Sequence, residues 1–342
     1  MRYLSVGTAK RISKVGLGTS QFGSRDWGYG EAYANSESHA IVRRALELGI
    51  TLFDTAEIYG GGRSERLLGR ALGRDRASAF VGTKLFPFLP GARRVGKRAA
   101  ASASRLGIDR LDLYQVHWSN PFVSDDTLME GMRAAQATGL IEEVGVSGYD
   151  LQRWRSAERV LGSRVLTNQV CYNLVDRSPE LNLLSFAQDS GHVVIAFSPL
   201  SMGLLSGRYH HTDRRPASSR ASHPLFGPTQ LSRTESLIAT LREVGQAHAA
   251  TPAQIALAWA IHLPAVAAIP GASSVEQVEQ NAAAADIHLA DDEYEALCGA
   301  SAALHRCVTA AGPPRRDLAA LRHLVSAGKH FAATIYGDWK AG

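Results

Sequence analysis

Only three cysteines, Cys171, Cys298 and Cys307, occur in 342 residues, and none stands at CxxC spacing from another. That scarcity excludes a disulfide framework and a cysteine-held metal centre, and a reducing, cytoplasmic setting is expected. No run approaches the ~18 apolar residues of a membrane span. The opening MRYLSVGTAKRISKVGL also lacks the continuous apolar stretch of an export signal. Strong charge of one sign is missing too: 37 Lys and Arg against 32 Asp and Glu leave +5. The basic pairs at 93–94, 97–98, 214–215 and 315–316 are dispersed and read as solvated helix or loop faces, so a nucleic-acid partner is not expected and one anionic ligand suffices. Finally, no strand is followed by a GxGxxG turn. GLGTSQFG at 16–23 misses the spacing and GGG at 60–62 is a flexible loop, which disfavours a doubly wound dinucleotide-binding sheet.

What the chain does hold is regular alternation. With 45% hydrophobic and 20% charged residues it has the composition of an ordinary globular protein. RYLSV and RISKV around GTAK predict an N-terminal hairpin. Strands then follow at VGLGT, TLFDTA, AFVGTK, LDLYQVH, IEEVGVS, VLTNQV, HVVIAFS and AVAAIPG. Helical patterns separate them, at 36–49, 64–73, 93–106, 125–138, 150–161, 179–190 and near 234–262. Eight strands with intervening helices predict a (β/α)8 TIM barrel, a single domain over 1–342. The stretch 201–233 is too long for an ordinary connection and reads as a cofactor-covering loop without a sustained apolar face. Its His210–His211 pair has no supporting ligands and is read as bland. A C-terminal extension over about 305–342, with apolar residues at helical spacing after its Pro-Pro break, is expected to pack across one barrel end.

A parallel barrel gathers all strand C-terminal ends on one face. Three consecutive strands here end in ionisable groups, Asp54, Lys84 and His117, and Tyr59 lies in the first of the loops between them. Singly, each has an ordinary structural explanation as cap, solvated cation or satisfied histidine. Together they have a common chemical purpose. A tyrosine with a pKa near ~10 is a poor acid unless its phenolate is stabilised. An ammonium at Lys84 would do that, Asp54 would hold the ammonium, and His117 would polarise a carbonyl oxygen. None of the four is itself a plausible nucleophile, so the nucleophile is imported, and a reduced nicotinamide supplies one. On later strands Ser147, Asn168 and Gln169 could hydrogen-bond a carboxamide and Phe197 could stack on the ring, though each singly reads equally well as packing or capping. Phe22, Trp27, Phe86, Trp118 and Phe122 are candidates for the substrate walls. A metal-dependent hydrolase would need more His and Asp ligands at strand ends than His117 and Asp54 provide.

FDTAEIYG, VGTK, YQVHW, VGVSG, NQVCYN, AFSPLSMGLLSGRY and IPGASSVEQVEQN, in this order, resemble the aldo-keto reductase family over residues 3 to about 300. The last three are most similar to its bacterial and potassium-channel β-subunit branches. The resemblance implies a barrel using NADPH/NADP, with Asp54, Tyr59, Lys84 and His117 as catalytic residues and Tyr59 as proton donor. It also implies cofactor contacts from Ser147, Gln169, Phe197, Ser198, Leu200, Gly203, Arg208, Gly271, Ser273, Gln277 and Asn281, with Arg208 and Arg220 as the cations available to a 2′-phosphate. Ser147-Gly148 stands where the family usually has Ser-Asn, and Gln280-Asn281 where it commonly has Glu-Asn. The implied function is reduction of an aldehyde or ketone, with a small carbonyl compound as partner, no membrane, and a homo-oligomer compatible. The alternative is a cofactor-binding regulatory subunit with weak reductase activity.

Overall fold

The computed structural model describes residues 1–5, 8–23, 31–87, 92–120, 123–210, 216, 221 and 223–309. Two short strands, β1 (Tyr3–Leu4) and β2 (Ile12–Ser13), pair antiparallel as the expected hairpin. Eight parallel strands follow: β3 (Leu17–Gly18), β4 (Leu52–Asp54), β5 (Phe80–Leu85), β6 (Leu111–Val116), β7 (Ile141–Ser147), β8 (Val165–Cys171), β9 (Val193–Phe197) and β10 (Val266–Ala268). Each pairs with its neighbours in sequence. Parallel bridges Val15 to Ala268 and Gly18 to Gly271 join the first strand to the last and close the barrel. No described helix is long and apolar enough to cross a membrane.

The helices α1 (Ser20–Gly23), α2 (Glu31–Glu47), α3 (Arg63–Leu72), α4 (Ala92–Leu106), α5 (Asp125–Ala137), α6 (Leu151–Leu161), α7 (Leu183–Asp189), α8 (Pro228–Ala247) and α9 (Pro252–Ala260) lie between the strands, and α10 (Val275–Ala283) and α11 (Asp291–Thr309) follow the last of them. Their starts are chemically marked. Ser124 and Asp150 cap α5 and α6, and Thr251 with Gln254 forms a capping box before Pro252 at α9.

Side-chain alternation along the strands sorts the barrel. Leu52, Phe80 and Leu113 point inward and meet Leu4 and Ile12 of the hairpin, together with Leu166, Val193, Ile195, Ala267 and Ile269, in an apolar floor. The outward Phe53, Val81, Tyr114, Val116, Val144 and Val146 join the helix-facing core. Asp54, Lys84 and His117 have the same parity as the floor residues, so they point into the barrel at its upper end. Between floor and mouth lies a polar layer in which Thr167 Oγ1 donates to Gln115 Oε1 at 3.0 Å.

Three expectations change. The predicted helix 179–190 divides into a 3-10 turn, Ser178–Leu181, and α7, because Glu180 is held by the Tyr172 hydroxyl and the Arg177 guanidinium, and Asn182 is extended at φ −162°. The stretch 201–233 is not irregular throughout. Ser201–Ser206 and Pro224–Phe226 form 3-10 turns, and α8 already begins at Pro228. Leu204, Tyr209 and Phe226 bury themselves in a small cluster with Val175, Met202, Leu225 and Leu231, an apolar anchor the sequence reading denied. Helices α10 and α11 were not anticipated, although the Ser274 cap and the acidic Asp291-Asp292-Glu293 start mark them. Of the C-terminal extension, α11 runs to Thr309, and its apolar spacing from 313 onward lies outside the described residues.

Gly145 sits in the polar layer, where an added Cβ would lie 2.1 Å from Thr167 Oγ1 and 2.9 Å from Gln115 Cγ. Gly145→Ala is therefore expected to destabilise the barrel by ~1 to 3 kcal/mol through overpacking. A fall in the urea midpoint checks this, and an unchanged midpoint would mean that the layer can yield.

Candidate active site

Lys84 is fully buried in the barrel mouth, and an ammonium there needs every proton directed. Its Nζ donates to Asp54 Oδ2 at 2.5 Å, to the Thr55 carbonyl at 2.8 Å and to Tyr59 Oη at 3.4 Å. Asp54 spends its other oxygen on Gln169, whose Nε2 donates to Oδ1 at 2.7 Å. Burial pulls the Lys84 pKa down, but Asp54 and Tyr59 more than offset it, and the ammonium titrates above an ordinary lysine. The His117 ring meets the Tyr59 ring edge-on at 5.7 Å and the Trp118 ring at 4.2 Å. The four residues that the sequence brought together are thus one cluster.

One electrostatic expectation is corrected. Lys84 does pull the Tyr59 pKa down, yet burial raises it further and the Asp54 carboxylate adds to the rise, so the phenol stands above its ordinary value. Tyr59 is therefore a protonated donor held beside a cation rather than a phenol close to ionising. Burial and the Lys84 charge hold His117 well below the usual histidine range, so its ring is neutral. Its buried Nδ1 and the buried Trp118 Nε1 have no hydrogen-bond partner among the described residues.

The residues expected around a cofactor divide. Phe197, at the end of β9, is 37% exposed, an uncommon state for a large apolar ring at a barrel mouth. Directly after it Ser198, Ser201 and Met202 hold positive φ of 49°, 47° and 57°, and Gly203 holds 97°. Such left-handed non-glycine residues store strain, which is common where backbone is shaped for a ligand. Leu200 turns this segment by accepting the Gly203 and Leu205 amides at 2.9 and 3.3 Å. Arg208 follows on the exposed side, with its guanidinium 6.0 Å from the Tyr209 ring centre.

After the neighbouring strand β10, on the same rim, the Ser273 amide and hydroxyl both meet Gln277 Oε1, Ser274 caps α10, and Asn281 Nδ2 donates to the Gly271 carbonyl at 3.5 Å. Ser147 Oγ donates to the Gln169 carbonyl at 2.9 Å. Asn168 is a correction. Neighbours on a strand face opposite ways, and with Gln169 inside on Asp54, Asn168 points to the helix layer, where it donates to the Tyr149 carbonyl at 2.7 Å. Asn168 therefore fixes the turn after β7 and faces away from the mouth. Arg220, Trp27 and Phe122 lie outside the described residues, while Phe22 and Phe86 are buried and Trp118 is half-buried.

Sequence reasoning also missed partners. Arg98, read as part of a solvated basic face, turns inward and pairs with Glu57 beside the site, because the α4 face it occupies covers the end of β5. Gln21 Nε2 donates to the Gly18 and Ala272 carbonyls at 3.0 and 2.9 Å, tying the first strand to the last loop. Glu57 stands inside AEIYG, two residues before Tyr59, and that placement was the available signal. His210 is buried and its Nε2 lies 2.9 Å from Thr234 Oγ1; no metal-holding group of His, Cys, Asp or Glu occurs among the described residues.

The sequence profile of the Aldo/keto reductase family matches residues 14–301. The chain belongs to the aldo/keto reductase family. It is 50% identical over 303 residues to an uncharacterized oxidoreductase of Mycobacterium tuberculosis, covering 89% of this chain and 94% of that protein. A methylglyoxal reductase of Escherichia coli is 32% identical over 288 residues, 84% of this chain and 90% of that one. Among solved structures, an aldo-keto reductase from Klebsiella pneumoniae in complex with NADPH superimposes with a TM-score of 0.69 at 30% identity, over 92% of this chain and 98% of the other.

The depressed pKa of His117 has a measurable sign. Below an ordinary histidine value of ~6.5 the unfolded chain takes up a proton that the folded ring refuses, so this contribution to stability is full above that pH and falls as acid is added. The His117 C2-proton resonance is expected to stay flat from about pH 8 to about pH 6. A midpoint near ~6.5 would mean a solvated ring.

Proposed function

We propose that this protein reduces an aldehyde or ketone to an alcohol with NADPH, Tyr59 giving the proton to the carbonyl oxygen. The observation that carries this reading is the Tyr59 hydroxyl 3.4 Å from an ammonium that is itself fixed by Asp54 at 2.5 Å, beside a neutral His117. A neutral imidazole donates a hydrogen bond without competing as an acid, so His117 orients the carbonyl oxygen while Tyr59 protonates it. As the proton leaves, the Lys84 ammonium stabilises the phenolate left on Tyr59, and Asp54 keeps that ammonium charged and aimed. Gln169 in turn keeps Asp54 from rotating, through its 2.7 Å bond to Oδ1.

The residues present suit the cofactor. The exposed Phe197 ring offers a face for the nicotinamide, and the strained Ser198–Gly203 segment presents backbone groups at the mouth. The start of α10 presents the positive end of the helix dipole, which suits an anion, and Ser273, Gln277 and Asn281 stand beside it. Arg208, with Arg220, is the cation we assign to the 2′-phosphate. Bound NADPH would supply the hydride that reduces the carbonyl carbon.

Tyr59→Phe is expected to lower kcat by about 100-fold or more while NADPH binding, followed by its fluorescence, stays nearly unchanged. Turnover within about tenfold of the parent would remove Tyr59 from the role. Phe197→Ala should leave turnover at saturating NADPH near the parent's and weaken NADPH by about 1 kcal/mol, the scale of an aromatic stacking contact. An unchanged Kd would mean that the ring does not meet the cofactor.

A further inference from the structure

We propose that the buried Glu57–Arg98 pair is a positioning clamp for the proton donor, fastening the Tyr59 loop to the strand end that carries Lys84. The proposal rests on reading Tyr59 as that donor.

The pair is seated on the backbone of one residue. Glu57 Oε1 accepts the Phe86 amide and Arg98 Nη2, Glu57 Oε2 accepts Arg98 Nε at 3.0 Å, and Arg98 Nη1 donates to the Phe86 carbonyl at 2.6 Å. Glu57 takes the N–H of Phe86 and Arg98 takes its carbonyl, so the residue is gripped on both sides. Glu57 lies two positions before Tyr59 and Phe86 two positions after Lys84, and the Glu57 amide also reaches the Lys84 carbonyl at 3.4 Å. The Phe86 ring meets Trp118 edge-on at 5.2 Å, and Trp118 meets His117 at 4.2 Å. Three of the four clustered residues are thus referred to one clamp.

A charge pair with side chains only 7% and 11% exposed gains little net stability over an apolar pair of the same shape. Its particular property is geometry, since a guanidinium and a carboxylate fix each other's plane as well as their distance. The other ties of the Tyr59 backbone are main-chain bonds, its amide donating to the Ala56 carbonyl at 3.1 Å and its carbonyl accepting the Ser64 amide at 3.2 Å. Gly60, Gly61 and Gly62 follow Tyr59 directly, all with positive φ of 60°, 60° and 81°, so the chain on that side has no side chains of its own to orient the tyrosine. The contact at stake is the 3.4 Å approach of Tyr59 to Lys84, the longest of the three that Lys84 makes. Loosening the loop lengthens it first.

The test uses the full-length protein with 4-nitrobenzaldehyde and NADPH for reduction, and 4-nitrobenzyl alcohol and NADP for oxidation. Glu57→Gln keeps an acceptor for the Phe86 amide but breaks the charge pairing, and Arg98→Lys keeps the charge but loses the fork. Each is expected to lower kcat about tenfold or more, with NADPH Kd within about twofold of the parent. With Tyr59 further from its cation, the rise of the oxidation rate with pH should also move to higher pH. If Glu57→Gln does not fold, Arg98→Lys carries the same expectations. A kcat and pH profile like the parent's, whatever happens to the melting temperature, would overturn the clamp, as would parallel losses of kcat and NADPH binding. Tyr59→Phe is measured alongside. If it is inactive while both clamp variants behave as the parent, only the clamp fails; if it remains active, the reading of Tyr59 fails and takes the clamp with it.

Discussion

The rest of the structure is organised around an ammonium with no access to water. A lysine fully enclosed at a barrel mouth would ordinarily surrender its proton, since burial opposes the charged form. Lys84 keeps it because Asp54, the Thr55 carbonyl and the Tyr59 hydroxyl each accept a hydrogen bond from its Nζ. Each of those partners must then be held in turn. Asp54 is braced by Gln169 from the far side of the barrel, and Thr55 joins Ser64, which bonds to Thr19, in a buried chain of hydroxyls. The demand of one cation for complete coordination therefore propagates through four strands and sets which polar groups occupy the mouth.

The same cation explains the neighbouring electrostatics. It lowers the proton affinity of His117 and restrains, without reversing, the rise that burial imposes on Tyr59. A neutral ring and a protonated phenol thus stand side by side as two groups of different acidity. That asymmetry is what acid catalysis on a carbonyl oxygen requires.

Much of this was legible in the chain. The eight strands stood out because apolar runs alternated with helical spacing, and the shared face of Asp54, Lys84 and His117 followed from the parallel topology alone. The less legible parts depended on which way a side chain turns or on its surroundings. Asn168 and Gln169 are adjacent in LTNQV and look alike as donors, and only the phase of β8, set by the irregular register between Val144 and Gly145, decides which one faces inward. Arg98 sat in a basic run whose composition suggests solvent, whereas its helix face covers a strand end. The acidity of Tyr59 could not be read from the presence of Lys84, because burial and the Asp54 carboxylate act against the lysine. The anchor of Leu204, Tyr209 and Phe226 was hidden by the polar residues spaced between them.

The hairpin that precedes the barrel makes its two ends unlike. Leu4 and Ile12 press against the inward residues of the strands and close the floor of the barrel. The polar groups at the strand ends therefore face the other rim, where Phe197 stands exposed. The hairpin thus acts as a plug at the end of the barrel away from Asp54, Lys84 and His117.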